Sequence, residues 1–313
     1  MDDLGLNTKG PEGKNLMGEF AELEFKAFFS NFVGWKLLYT DVDLKGLKHP
    51  DDEKPENRGY DFLYKVREPF DNYNKAVIIE SKKIESISGF STSILSKHIE
   101  ILKYKMDKAN HSLELSNDQK IQHNEIKSYR YGILCYRFRK FDLNKYRNIL
   151  KNYEPTESTS NDINFPVIFI LSNDKLHAFS KWKTSSEGHL KFYDRDPLSM
   201  RLLTESDSLS LFNLFSDYIP FIEDDGKLGK QNGILTFDKP SVESFLYIED
   251  FCKNFDLGIS KIVFLNCDLG QKDLYDQYKE EVESFKKIEP LYLGPSGPSG
   301  MDCDSEDLDK VFK

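Results

Sequence analysis

Two acidic residues and a lysine lie where neighbouring strands could bring them together. Glu80, Ser81 and Lys82 directly follow the apolar run 76–79, which has the length and composition of a buried strand. Side chains alternate along a strand, so those of Glu80 and Lys82 share one face. Asp61 lies in a second strand-like segment, and the stretch between the two is rich in turn residues. We therefore expect an antiparallel hairpin that gathers two carboxylates and an ammonium at one point.

These three residue types suit metal-assisted hydrolysis of a phosphate ester. Mg²⁺ and Mn²⁺ prefer hard oxygen ligands, and they need only one or two protein carboxylates beside substrate phosphate and water. Asp61 and Glu80 could supply those carboxylates. A bound cation polarises the phosphate and provides hydroxide near neutral pH. Lys82 could orient the attacking water or stabilise the negative charge that develops on phosphorus.

The elements that must position these residues are predicted from hydrophobic periodicity and from capping residues. Apolar residues recur at spacings of three and four in the two helical segments, and short apolar runs mark the strands. The predicted order is a helix over 15–32, a strand over 35–40, the Asp61 strand, the Glu80 strand, a helix from Ser91 or Thr92 to near Asn110, and a strand over 131–138.

Over residues 1–140 this arrangement resembles the PD-(D/E)xK nuclease superfamily. The points of resemblance are the leading acidic helix, Asp61 on the second strand, the Glu80-Ser81-Lys82 tripeptide on the third, and the helix that follows. The resemblance implies an α/β protein with a restriction-endonuclease-like core in the order α-β-β-β-α-β, whose mixed sheet is flanked by helices. Tyr60 stands where the proline of the family name precedes the first aspartate.

The resemblance also implies roles for individual residues. Asp61 and Glu80 are expected to bind Mg²⁺ or Mn²⁺, and Lys82 is expected to act in catalysis. Either Glu22 or Glu19, on the leading helix, would be a further metal ligand. For these two glutamates a simpler interpretation remains open, because Glu22 also pairs at helical spacing with a lysine and could lie on a solvent-facing surface.

The second half of the chain contains no motif that we can assign. We divide the chain into a nuclease-like domain over 1–153, an additional C-terminal α/β region over 154–293, and a flexible Gly/Pro/Ser spacer with an acidic tail over 294–313. Strands are predicted over 165–171, 176–182, 189–193 and 261–266, and helices over 209–219, 242–255 and 274–288.

The net charge of −10 is unfavourable for holding a polyanion, so the distribution of the basic residues matters. The tract 127–151 is locally basic and rich in aromatic residues, which predicts contact with phosphate; a solvated face over core aromatics is the alternative. The residues proposed to bind nucleic acid are Arg130, Arg137, Arg139 and Lys140 in this tract, together with Lys97 and Lys103 on the preceding helix.

Other features restrict the class of protein. The apolar runs are far shorter than the roughly 20 residues of a membrane-spanning helix, and the N-terminus does not resemble a secretion signal. Four widely spaced cysteines form no zinc or disulfide pattern, which favours reduced thiols in the cytoplasm. The histidines lack a metal-binding spacing, and no glycine-rich phosphate loop is present.

The leading hypothesis is a Mg²⁺-dependent endodeoxyribonuclease that cleaves double-stranded DNA. The family resemblance implies a role in bacterial restriction or antiviral defence, with regulation by a protein partner or within a homo-oligomer. Two alternatives remain open: a non-catalytic nucleic-acid-binding or scaffold subunit with the same fold, and an RNase. Metal dependence separates the first alternative from the leading hypothesis, and a panel of DNA and RNA substrates separates the second.

Overall fold

Two β-sheets with helices on their faces make up the described part of the chain. The structure is a computed structural model. It describes residues 21–42, 59–67, 74–154, 166–186, 188–196, 199–224, 226, 229–265, 267–294 and 311–312. The first sheet has five strands in sequential order, and the second has six.

The first sheet combines an antiparallel and a parallel half. Its strands are β1 (Lys36–Val42), β2 (Tyr60–Val66), β3 (Lys75–Ser86), β4 (Tyr131–Lys140) and β5 (Val167–Leu171). The pairs β1–β2 and β2–β3 are antiparallel, whereas β3–β4 and β4–β5 are parallel. The predicted hairpin is thus confirmed. The fifth strand comes from residues beyond 153, where we placed the end of the first domain.

The third strand is longer than the sequence indicated. We expected it to end at the Glu80-Ser81-Lys82 tripeptide, but β3 continues to Ser86. The reason is its partner, because β3 and β4 pair in parallel as far as Ser86 and Lys140. The tripeptide therefore lies within a strand of the sheet, flanked by β2 and β4.

Helices cover both faces of this sheet. The first, α1, spans 21–32 and closes with a π-helical turn at Phe28–Phe32. The long helix α2 (Thr92–His111) begins at Ser91, whose side chain accepts a hydrogen bond from the Ile94 amide. Three shorter helices follow: α3 (Leu113–Asn117), α4 (Gln119–His123) and α5 (Leu143–Lys151). We predicted α2 correctly, whereas α3 and α4 were not predicted.

The two faces have separate cores. Val77 and Ile79 of β3 pack on the α1 face, whereas Ile78, between them, packs on the α2 face. On the α2 face the helix lies close to the sheet at Gly132 of β4. A β-carbon at that glycine would lie 2.9 Å from the Leu102 side chain, so the absence of a side chain allows the close approach.

The second sheet is built from the C-terminal half of the chain. Its strands are β6 (His189–Asp196), β7 (Ser199–Ser206), β8 (Tyr218–Asp224), β9 (Lys230–Thr236), β10 (Lys261–Phe264) and β11 (Leu291–Tyr292), in the order β11-β10-β9-β8-β6-β7. The helices of this half are α6 (Asn173–Ser185), α7 (Leu211–Leu214), α8 (Val242–Asn254) and α9 (Lys272–Glu280). One face shares the core of α1 and α6, and the other packs against α8 and α9.

Several predictions for this half were wrong. Residues 176–182, expected as a strand, belong to α6. The helix expected over 209–219 is only the short α7, and β8 begins before its predicted end. The strands β7, β8, β9 and β11 were not predicted, and the helix expected over 274–288 ends at Glu280 of α9. The helix at 242–255 and the strand near 261 were placed correctly.

Some expected features lie outside the described residues. They are the start of the leading helix, the loops 43–58 and 68–73, most of the 154–161 linker, and most of the Gly/Pro/Ser spacer and acidic tail. Beyond the spacer, Phe312 is buried and its ring lies 5.1 Å from that of Phe28 in α1. No helix in the described ranges has the length and apolar composition needed to cross a membrane.

A buried ion pair joins α1 to the centre of the first sheet. Arg137 of β4 is fully buried, and its Nε donates a hydrogen bond to Glu24 Oε2 at 2.7 Å. An Nη1 of the same guanidinium lies 3.2 Å from His177 Nε2 of α6. Because desolvating two charges is costly, removing one partner of such a pair leaves the other charge buried without compensation.

We predict that Glu24→Gln lowers the free energy of unfolding by about 3 kcal/mol, because it removes an anionic partner of the fully buried Arg137 guanidinium. Urea unfolding followed by circular dichroism measures the change. The matched control is Glu85→Gln, which breaks the more exposed pair between Glu85 of β3 and Arg139 of β4 and should cost less than about 1 kcal/mol. Equal losses for the two variants would contradict a structural role for the buried pair.

Candidate active site

The hairpin places the acidic residues on the face of the sheet that α2 covers. Phe62 pairs with Ile79, so continuing the antiparallel register places Asp61 opposite Glu80. Strand alternation puts Glu80 and Lys82 on the same face as Ile78, which packs beneath α2. The structure therefore brings together the three residues predicted to act in catalysis.

Asp61 is tied to the neighbouring strand by its carboxylate. Its Oδ2 accepts a hydrogen bond from the backbone N–H of Ser81 at 2.5 Å. Burial raises the pKa of Asp61, and the charge of Glu80 raises it further; the Ser81 N–H and the ammonium groups of Lys82 and Lys105 oppose this increase. Two carboxylates that repel each other thus lie side by side.

Glu80 is the most buried member of the site, with 1% of its surface exposed. Each carboxylate oxygen contacts one lysine. Lys82 Nζ lies 2.9 Å from Oε2, and Lys105 Nζ lies 2.6 Å from Oε1. The site therefore contains two carboxylates and two ammonium groups, and their charges balance.

The side chain of Lys82 is 31% exposed, so part of it faces solvent. Burial alone would lower the pKa of Lys82, but the charges of Glu80, Asp61 and Glu22 together raise it above the ordinary value. Glu22 of α1 is therefore close enough for its charge to act on the site lysine. Glu19, its competitor in the sequence analysis, lies outside the described residues.

Lys105 is a site residue that the sequence analysis missed. It lies on α2 among the buried residues Leu102, Met106 and Ala109. A signal for it was present in the sequence, because Lys105 follows Leu102 by three positions and precedes Ala109 by four, so it interrupts the apolar stripe of the helix. A lysine in such a stripe needs a buried anionic partner, which here is Glu80.

His98 also lies near the site, on nearly the same face of α2 as Lys105 and about two turns before it. Its Nδ1 is 3.0 Å from the Tyr136 hydroxyl, and the two rings are stacked with centroids 5.8 Å apart. Burial lowers the pKa of His98, and the charges of Lys82 and Lys97 lower it further. His98 was expected to be a surface or core residue rather than a metal ligand, and this stays a prediction.

The donor chemistry of the site fits a divalent cation. Asp61 and Glu80 offer hard carboxylate oxygens of the kind that Mg²⁺ and Mn²⁺ prefer, and a cation would relieve the repulsion that raises the Asp61 pKa. Among the described residues, no group of three or more His, Cys, Asp or Glu side chains is gathered closely enough to bind a metal ion. The carboxylate oxygens of Glu80 contact lysines instead.

The proposed nucleic-acid-binding residues do not form one surface. Arg137 was expected to reach phosphate, and this is wrong, because strand alternation directs its side chain into the core toward Glu24. Arg130 precedes β4, whereas Arg139 and Lys140 lie at the other end of the strand, roughly 30 Å away.

The site lies opposite the middle of β4, where Glu80 pairs with Leu134. Lys82 pairs with Tyr136 in the β3–β4 register, four residues before Lys140. Lys140 is exposed, and Arg139 is partly exposed and contacts Glu85 at 3.0 Å. On α2, Lys97 is exposed and Lys103 contacts Glu100 at 2.7 Å.

Comparison with known proteins identifies the family of the chain. A family model described as the GAPS4 protein PD-(D/E)XK nuclease domain matches residues 11–175, more than half of the 313 residues. The match includes both acidic strands, α2 and the strands β4 and β5. No curated protein and no solved structure matches the chain. The chain belongs to the GAPS4 PD-(D/E)XK nuclease domain family, a family of nucleases in anti-phage defence.

Proposed function

We propose that this protein is a Mg²⁺-dependent or Mn²⁺-dependent endonuclease that hydrolyses the phosphodiester bonds of double-stranded DNA. The observation that carries the proposal is the pair of carboxylates on adjacent strands, Asp61 and Glu80, with the partly exposed Lys82 beside them. Asp61 and Glu80 would hold the metal, and Glu22 would add a further oxygen, with Glu19 as its alternative. When bound, the metal would polarise the scissile phosphate and supply hydroxide near neutral pH.

The side chains of the chain itself have separate tasks in this proposal. The Ser81 N–H fixes the orientation of the Asp61 carboxylate, since it donates to Oδ2. Lys82 remains protonated, because the surrounding carboxylates raise its pKa, and its exposed end is available to orient water or to stabilise charge on the phosphate.

The substrate, partner and compartment are further parts of the proposal. Double-stranded DNA is the proposed substrate because the family acts in anti-phage defence. We propose that a protein partner or a homo-oligomer regulates cleavage, and that the six-stranded region supplies those contacts, since the site side chains come from the first sheet and α2. The free thiols of Cys135, Cys252 and Cys267 are compatible with the cytoplasm, where invading DNA is met.

We predict that Glu80→Gln and Lys82→Ala each reduce DNA cleavage at least about 10²-fold, because the first removes the charge of a proposed metal ligand and the second removes the ammonium beside the reacting phosphate. The assay compares duplex DNA, single-stranded DNA and tRNA, each with Mg²⁺, Mn²⁺ or EDTA. Circular dichroism establishes that the variants are folded. Lys108→Met, a change on α2 at a half-buried lysine whose ammonium lies over the Tyr104 ring, serves as the control and should cleave like the wild type.

The same assay separates the alternatives. Metal-dependent cleavage of tRNA without cleavage of DNA would identify an RNase. Binding of DNA with no cleavage under any metal condition would identify a non-catalytic subunit. Wild-type turnover by folded Glu80→Gln and Lys82→Ala would contradict the site itself.

We expect Glu22, rather than Glu19, to act on the metal. Glu22→Gln should weaken Mn²⁺ binding about tenfold, as the loss of a group that supports a metal site does, because the charge of Glu22 already reaches Lys82. Glu19→Gln should leave the affinity unchanged. Isothermal titration of both variants with Mn²⁺ measures the difference, and the reverse order of effects would assign the role to Glu19.

We predict that Arg139 and Lys140 contact the DNA backbone. Replacing both with glutamine should weaken binding for all DNA sequences and reduce the slope of log affinity against log salt by about two units, since each phosphate contact contributes about one. Fluorescence anisotropy at several salt concentrations gives the slope. Lys127→Gln, at the opposite end of β4, is the matched control and should leave the slope unchanged. Equal slopes for the wild type, the double variant and Lys127→Gln would mean that Arg139 and Lys140 lie on a solvated surface and do not contact DNA.

A further inference from the structure

We propose that Lys105 is a positioning residue of the nuclease site: it holds one oxygen of Glu80 from the helix side and thereby fixes the carboxylate for metal binding and cleavage. The inference rests on the proposed function and adds a residue that lies outside the acidic strand motif. It is carried by the contact between Lys105 and Glu80 and by the packing that holds α2 against the sheet.

The two lysines of the site contact Glu80 in different ways. Lys82 comes from the same strand as Glu80, and its side chain is 31% exposed. Lys105 comes from α2, its side chain is 10% exposed, and its Nζ approaches the other oxygen more closely, at 2.6 Å against 2.9 Å. Lys82 can therefore reach a substrate, whereas Lys105 faces the interior and acts through Glu80.

The position of Lys105 is determined by rigid elements. Leu102 and Met106, on either side of it, pack against Gly132 of β4, where a β-carbon would lie 2.9 Å from Leu102 Cδ2 and from Met106 Sδ. The helix is thus seated on the strand that pairs with β3. A side chain held on such an element fixes its partner more narrowly than one on a loop does.

A contribution to stability alone does not explain this arrangement. A buried ion pair is often no more stabilising than apolar side chains of similar size, because desolvation offsets the attraction. The remaining residues of the α2 stripe are apolar, so an apolar residue at position 105 would suit the packing. Lys105 adds a directed hydrogen bond to Oε1 of Glu80. The other carboxylate oxygen of Glu80, Oε2, accepts from Lys82.

The test compares Lys105→Met, which keeps the length of the side chain but removes the charge, with Lys105→Arg, which keeps the charge. Lys108→Met is the control on the same helix; its ammonium lies over the Tyr104 ring. For each protein, isothermal titration gives the Mn²⁺ affinity, cleavage of duplex DNA gives kcat and KM, and circular dichroism reports folding.

We expect Lys105→Met to weaken Mn²⁺ binding about tenfold and to lower kcat by about 10-fold to 100-fold, as loss of an orienting group behind a metal ligand does. KM for DNA should stay within about twofold, because a buried lysine does not contact the substrate. Lys105→Arg should recover part of both losses, and Lys108→Met should match the wild type.

Two results would overturn the inference. A folded Lys105→Met with wild-type Mn²⁺ affinity and kcat would show that Lys105 has no role in the site. Tighter Mn²⁺ binding by that variant would show that Lys105 only competes with the metal for Glu80. If Lys105→Met does not fold, Lys105→Gln replaces it with the same expected losses. A wild type that neither binds Mn²⁺ nor cleaves any nucleic acid would instead refute the proposed function.

Discussion

A single buried carboxylate, that of Glu80, is the constraint around which the site is arranged. An ionised carboxylate can be buried only when opposite charges and hydrogen bonds compensate for the lost hydration. Glu80 obtains this compensation from Lys82 on its own strand and from Lys105 on α2. Asp61 lies beside it on β2, and its pKa is raised by burial and by the Glu80 charge. The burial and mutual repulsion of the Asp61 and Glu80 carboxylates are unfavourable, and these same two carboxylates could bind a cation.

The centre of the site could be predicted from the sequence, and its surroundings could not. Strand alternation and a hairpin are local rules, so they were sufficient to bring Asp61, Glu80 and Lys82 together. Lys105 reaches Glu80 only because α2 packs on β4, and that is a tertiary contact. The error for Arg137 has a similar origin. Its charge suggested a surface, but β4 is a central strand and its alternate residues face Glu24 in α1.

The fold was predictable where one periodicity dominated. The helix α2 was predicted from two features of its sequence, apolar residues at helical spacing and a serine at its N-cap. Residues 176–182 read as a strand because Leu176, Ala178 and Ser180 alternate, yet Leu176, Phe179 and Trp182 also follow the helical spacing that α6 uses. The strands β7 and β9 pair antiparallel with their neighbours in sequence, β6 and β8. Apolar and polar residues are mixed in both strands, so strand propensity by itself did not indicate them.

The most direct test of this account is the location of a bound metal. Crystals grown or soaked with Mn²⁺ can be measured near the manganese absorption edge, where the ion gives an anomalous signal. The account predicts one peak within coordination distance, about 2.2 Å, of carboxylate oxygens from both Asp61 and Glu80, with Lys105 still in contact with Glu80. An absent peak, or a peak bound by other side chains while Asp61 and Glu80 keep only their present contacts, would contradict it.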